Sequence, residues 1–276
     1  MNEGSDMNNK QYYLPGKDFP SPEDFIRQLV NDEKLKNIKL WLERFPKFSD
    51  TKFDLRRQIN MINEDRLSIP QKYFPITEYK CYLDRLELMM NELQCNGFSK
   101  SVYESKVAWR LVVNLGSESV YETSIILHRN YSIPIIPGSA VKGVARIYAE
   151  RTKNPLKDEI FGKQESTGKV IFFDALPIIE SEKDFLVLDI MNVHYPDYYQ
   201  NGKEPGDWMN PNPIFFLAVE ELKYRFTVAS KDRKLVKNAL ELLKIALREI
   251  GIGAKTSAGY GYFEEIKNER DRVQNK

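Results

Sequence analysis

A chain of 276 residues with 42% hydrophobic residues is long enough for one elaborated domain or two small ones around a sizeable core. A formal charge of only +1 excludes a protein that coats nucleic acid through bulk charge, so any nucleic-acid contact has to be a local patch. Two cysteines, Cys81 and Cys95, with no clustered histidines, argue against a disulfide framework and a zinc site and leave packing or an exposed thiol as their role.

The first twenty or so residues carry Pro15, Gly16, Pro20 and Pro22 among polar ones and read as an arm that becomes fixed only against a partner. The opening MNEGSDMNNK lacks the apolar core of a signal peptide, and no run of about twenty apolar residues suits a membrane span. The expected address is therefore the cytoplasm. Residues 23–45 are apolar at Phe25, Ile26, Leu29 and Val30, then at Ile38, Leu40, Trp41 and Phe45, which predicts helices divided by a charged turn. Residues 51–66 and 77–95 also read as helical, with Pro70 and Pro75 separating them. Strands enter at 106–116, a β-branched and aromatic run, followed by a helix over 138–153 that Ser139 is placed to cap. Further strands are expected at 168–177, 184–193 and 214–230. A proline-bearing aromatic loop, 192–213, lies between the last two. A helix over 233–250 places Leu235, Leu240, Leu243, Ala246, Leu247 and Ile250 largely on one side, with Gly251 as its C-terminal cap and a strand with Tyr260, Tyr262 and Phe263 beyond. The order β, α, β, β, β, α, β is an α+β pattern: a βαββαβ, ferredoxin-like core of the RNA-recognition type with one extra strand.

Two segments carry chemistry. GIGAKTSAGYG, residues 251–261, has four glycines, which permit positive φ and a concave nest of backbone N–H groups, with Lys255 beside them. Its natural guest is a phosphate. A Walker loop is excluded because the helix precedes the loop and residue 254 is alanine, and a dinucleotide fingerprint fails at Thr256. The other reading is a glycine-rich turn with no ligand. In PGSAVKGVAR, Lys142 and Arg146 are four residues apart on one helical face, near the partial positive charge of the helix start. They are either solvated helix positions or, together with the glycine loop, a grip on successive phosphates that reads no bases.

IPIIPGSAVKGVARIYAE (133–150), IFG (160–162) with GKVIFFDALP (168–177), NVHYPDYY and GDWMNPNPIFFLAV (192–219), and ALREIGIGAKTSAGYGYF (246–263) together resemble the RAMP superfamily. Within it they are similar to the sixth-subunit family of the type III-B CRISPR (Cmr) effector, over roughly residues 105–265. The resemblance implies a ferredoxin-like RAMP core at 105–276 with an insertion near 192–213, preceded by an arm and helical extension at 1–104. It implies a noncatalytic RNA-binding subunit that caps the backbone of the ribonucleoprotein and holds the 3′ part of the guide RNA (crRNA) during RNA-guided target RNA degradation in antiviral defence. The partners it implies are guide RNA, target RNA, the neighbouring RAMP backbone subunit and the small helical subunit, with no cofactor and no metal. The expected RNA-binding residues are Ser139, Lys142, Arg146, Gly251, Gly253, Lys255, Thr256, Ser257 and Gly259. Tyr195 and Trp208, with Tyr198 and Tyr199, are candidates for stacking on bases or for wedging into the guide–target duplex or a neighbouring subunit; a self-packed loop is the other possibility.

Some RAMP relatives cleave RNA, and a metal-independent ribonuclease needs a general base. The histidines are His128 and His194, and His128, followed by Arg129, sits where a processing enzyme would place one. Glu118, Glu122 and Asp174 are available acids, but no loop matches the aspartate that cuts target in the resembled complex. A module that binds only protein is a third reading.

Overall fold

The computed structural model describes residues 36–44, 48–49, 52–60, 63, 68–193, 202, 204 and 212–264. The N-terminal part contributes α1 (Ile38–Arg44), a hairpin of β1 (Phe48–Ser49) and β2 (Lys52–Phe53), α2 (Leu55–Asn60), β3 (Ser68–Ile69) and the long helix α3 (Ile76–Cys95). Then follow β4 (Ser99–Val107), β5 (Arg110–Leu111), α4 (Gly138–Arg151), α5 (Lys157–Phe161) and the hairpin of β6 (Gly162–Lys163) and β7 (Ser166–Thr167). The remainder is β8 (Ile171–Phe172), β9 (Leu176–Ile178), β10 (Leu186–Val193), β11 (Asn212–Glu220), β12 (Lys223–Ser230), α6 (Arg233–Glu249) and β13 (Phe263–Glu264).

These elements form a mixed helix and strand fold around two antiparallel sheets. The larger has the order β13-β4-β12-β8, with β9 also pairing β12. Helix α4 follows β4 and α6 follows β12, and the two helices pack on one another over the sheet. Between helices and sheet lie Val141, Ala145 and Ala149 of α4, Leu235, Ala239, Leu243 and Ala246 of α6, and Tyr224, Phe226 and Val228 of β12, all buried in one cluster with Phe263. Period 3.6 on the helices and period 2 on β12 place every one of these side chains on the inner face. Asp232 fixes the start of α6 by accepting from the N–H groups of Lys234 and Leu235.

The smaller sheet has the order β3-β10-β11-β5, so it draws one strand from the N-terminal part and receives the β10–β11 hairpin as an insertion between β9 and β12 of the larger one. Helix α3 lies against the face of the larger sheet opposite α4 and α6. Tyr79 anchors it by donating to Pro177 O at 2.8 Å, and Lys100 and Arg225 of the sheet pair with its Glu87.

The chain crosses between the two sheets at two adjacent places. β4 passes into β5 through Ala108 and Trp109, and β11 passes into β12 through Glu221 and Leu222, with Glu221 at φ 57°. This crossing overturns two strand expectations. The strand expected at 106–116 is Ser99–Val107, because β4 carries polar residues on both faces and lacks strong alternation, whereas buried Val112 and Val113 run as irregular chain. The single strand expected at 214–230 is two strands in different sheets, since the turn at Glu221 uses neither glycine nor proline.

The glycine loop extends the β13–β4 pairing past the crossing. Ala108 N donates to Tyr262 O at 2.9 Å, Gly261 N to Arg110 O at 2.7 Å, and Ala254 N to Val112 O at 2.8 Å. Two glycines are required by this closeness. A Cβ on Gly253, at φ +95°, would lie 2.2 Å from Val112 O, and one on Gly261, at φ +77°, 2.0 Å from Ile252 O. Gly261→Ala is expected to destabilise the fold by about 1 to 3 kcal/mol, read as a lower urea midpoint at unchanged m-value. Gly143→Ala, in the middle of α4 where a Cβ meets nothing within 4 Å, should raise the midpoint at unchanged m-value, a gain of about 0.5 to 1 kcal/mol of stability.

Candidate nucleic-acid interface

Lys142 and Arg146 project from α4 into an open cleft of about 550 Å³ whose opposite wall is the β6–β7 hairpin. The hairpin adds a third cation, Lys163, and the polar side chains of Gln164, Ser166 and Thr167, against one acid, Glu165. Arg146 pairs with Glu150 at 3.1 Å, and both side chains are about half exposed. An exposed pair of this kind holds its partner weakly, so the guanidinium is available to a stronger anion. The sequence patterns single out Lys142 and Arg146 but not Lys163, which is brought opposite them only by the short helix α5 and the hairpin after it.

Ser139 does not cap α4. Its side chain is exposed, the N-cap is Pro137, and Gly138 N instead donates to Asp174 Oδ1 at 2.7 Å. A carboxylate from the strand layer therefore already meets the positive end of the helix. An anion in the cleft would meet the side-chain cations rather than a free helix N-terminus.

The four glycines of the loop at 251–261 all have positive φ, as the sequence leads one to expect, and Lys255 joins them at φ 60°. Most of the loop amides are consumed within the fold. Gly251 is buried and donates to Ala246 O, and Ile252, Ala254, Ala258, Gly259, Tyr260 and Gly261 also donate to carbonyls. Gly253, Lys255, Thr256 and Ser257 are the loop residues whose N–H groups have no backbone partner among the described residues. The amides left open are thus fewer than the whole motif suggests, and Gly251 shapes the loop from a buried position. Lys255 Nζ sits 5.5 Å from the centroid of the Phe216 ring, so the loop rests on the smaller sheet. No residue of the loop lines the Lys142–Arg146 cleft, so the two groups do not share one pocket.

His128 is half-buried, with its ring 5.1 Å from that of Tyr82 and stacked 4.9 Å from that of Tyr131, and its Nδ1 accepts from Asn130 N at 3.2 Å. Burial pushes its pKa down, with nearby Asp174 acting in the opposite direction. Glu118 and Glu122 are exposed, and both cysteines are exposed free thiols. Tyr195, Tyr198, Tyr199, Trp208 and His194 lie outside the described residues. Among the described residues no helix is long and apolar enough to cross a membrane.

The model of the RAMP superfamily matches residues 97–264. The CRISPR system Cmr subunit Cmr6 of Pyrococcus furiosus is 38% identical, over 73% of this chain and 76% of its own length. The chain belongs to the RAMP superfamily, in its Cmr6 family. Cmr6 of Saccharolobus solfataricus is 27% identical over 69% of this chain and 65% of its own length. A chain in the cryo-EM structure of the type III-B Cmr-β bound to cognate target RNA shares the fold, with a TM-score of 0.63, 21% identity and 89% of each chain covered. The RAMP match starts at 97, just ahead of Ser99, where the first strand of the larger sheet begins.

Beneath the glycine loop of this RAMP chain lies a polar cluster that no local sequence signal marks, because its members come from four separate segments. Asp189 accepts from Arg110 at 2.6 Å and from Tyr260 Oη at 2.7 Å, while Arg110 also donates to Glu220 at 3.0 Å. Burial alone would push the Asp189 carboxyl up, but the hydrogen bonds from Tyr260 and Arg110 outweigh it and hold the group below the usual carboxylate range. Burial and the hydrogen bond to Asp189 push the Tyr260 phenol up to about 12. The carboxylate contributes stability in full above its unfolded value of about 3.9 and loses it as pH falls through the lower folded value. The phenol contributes in full below its unfolded value of about 10 and loses it as pH rises toward the folded value. Asp189→Asn should therefore lower Tm at neutral pH, by roughly 1 to 3 kcal/mol of stability, and flatten the acid limb of a Tm-versus-pH curve. Tyr260→Phe should flatten the limb above about pH 10.

Proposed function

We propose that this chain is a noncatalytic, RNA-binding subunit of a type III-B CRISPR (Cmr) effector, capping one end of its backbone and holding the 3′ part of the guide RNA during RNA-guided target RNA degradation. Membership of the Cmr6 family supports a place in a Cmr assembly. The observation that carries the RNA reading is the cleft in which Lys142, Arg146 and Lys163 face one another across α4 and the β6–β7 hairpin, with Glu165 in its lining and the exposed Glu150 paired to Arg146 as the acids beside them. In a chain of formal charge +1, such a patch supplies the local positive field that a polyanion requires. Side-chain cations of this kind grip phosphates without reading bases. That suits a protein that leaves sequence recognition to base pairing between guide and target.

The core is of ferredoxin-like type in this reading, supported by the order β13-β4-β12-β8 with one helix after β4 and one after β12. The partners are the guide RNA, the target RNA, the RAMP backbone subunit and the small helical subunit, and the site of action is the cytoplasm. Helix α3 suits a protein contact: Tyr79 is its one buried residue, and Leu88 and Met89 are exposed.

Lys142→Ala combined with Arg146→Ala should weaken guide RNA binding and reduce the slope of log K against log salt by about 0.7 for each single-strand phosphate that is no longer neutralised. An unchanged slope would reject the phosphate assignment. The full chain should also leave end-labelled RNA intact with and without added divalent metal. Cleavage that His128→Ala abolishes would instead establish an enzyme.

A further inference from the structure

Trp109 stands at the crossing between the two sheets and is 49% exposed, although everything behind it is fixed. Its indole lies 4.8 Å from the Tyr260 ring, and the Arg110 guanidinium is 5.4 Å from the indole ring. Both of these neighbours are held by Asp189, through the bonds at 2.7 Å from Tyr260 and 2.6 Å from Arg110. Gly259 brings the exposed part of the glycine loop to the indole, since a Cβ built on it would meet Trp109 Cε3 at 3.9 Å. The same loop offers the N–H groups of Lys255, Thr256 and Ser257, which have no backbone partner among the described residues.

We propose that Trp109 is a nucleobase-stacking platform, with the phosphate of the same single-stranded RNA segment received by the adjoining Lys255–Ser257 amides and the Lys255 ammonium. The inference rests on the RNA-binding reading above and adds to it a contact to bases, at a place separate from the Lys142–Arg146 cleft. Three features select a base as the occupant. An indole backed by a fixed tyrosine costs little ordering entropy when a flat ring settles on it. Stacking tolerates any base because each has a π face, which suits a protein that must accept many guides. Anion-facing amides beside an aromatic surface match the alternation of base and phosphate along one strand. The two carboxylates nearby, Asp189 and Glu220, are both tied to Arg110 and do not oppose the phosphate as unpaired charges.

The test is binding of the full chain to single-stranded oligouridylate and to an abasic ribose-phosphate oligomer of the same length. Trp109→Ala should weaken oligouridylate binding about 5- to 150-fold, leave the salt slope unchanged, and leave abasic binding unaltered. Trp109→Phe, which keeps an aromatic face, should restore most of the loss and also guards against a folding artefact. Equal binding of oligouridylate by wild type and Trp109→Ala overturns the inference while leaving the phosphate grip intact. An equal loss on the abasic oligomer, or loss of a co-purifying protein subunit with RNA binding unchanged, overturns it in favour of a structural or protein-contact role. Failure of the wild-type chain to bind either oligomer removes the RNA-binding reading and the inference together.

Discussion

The crossing of the chain between its two sheets is the constraint on which the glycine loop and the candidate surface around it depend. Segment 108–112 leaves the larger sheet at Val107 and enters the smaller one at Arg110, and the glycine loop follows it through bonds at Ala108, Arg110 and Val112. Arg110 is pinned from both sides, to Asp189 on β10 and Glu220 on β11. Taking such charges partly out of water is costly, and an apolar cluster could hold two sheets as well or better. What the ion pairs add is direction. A guanidinium fork bonded to two carboxylates on neighbouring strands admits one register, and Tyr260 joins the same carboxylate, so the loop is set relative to both sheets at once.

That arrangement changes the meaning of the glycines. A glycine-rich loop in a sequence suggests open amides, but here the positive φ values serve mainly to let the backbone run against Val112 and to close on itself between Ile252 and Gly261. The cost of so many special conformations is met by carbonyl partners for seven of the loop amides, and the residual N–H groups gather at Gly253 and Lys255–Ser257. Similar reasoning applies to α4. Its first amide is satisfied by Asp174, so an incoming phosphate would compete with a carboxylate there, whereas among the described residues the cations of the cleft meet only the exposed Glu150, paired with Arg146, and Glu165 in the lining.

Where the sequence carried strong periodicity, the elements follow it. Helix α6 occupies Arg233–Glu249 against an expectation of 233–250, and α4 occupies Gly138–Arg151 against 138–153, because both bury one stripe and expose the other. The strand boundaries at the crossing were not legible. Nothing in FFLAVEELKYRF marks Glu221 as a turn, and the split makes sense only once β11 and β12 are seen to serve different sheets. Of the candidate residues, the common face of Lys142 and Arg146 was legible through their spacing. Lys163, Trp109 and the Asp189–Arg110–Tyr260 cluster were not, because each acquires its role from a neighbour distant in sequence.

The larger sheet also explains why the surface of interest lies at its end and not on its open face. In RNA-recognition domains, the sheet face is the one that receives RNA. Here that face carries helix α3, and Glu87 and Glu104 are paired with Lys100 and Arg225 in the space between helix and sheet. A phosphate brought there would have to displace carboxylates already paired with the cations. The edge cleft and the crossing are less obstructed: the Arg146 of the cleft holds only the exposed Glu150, and the carboxylates at the crossing are tied to Arg110 rather than to Lys255, so with α3 covering the open face the accessible cationic and aromatic groups lie at the periphery.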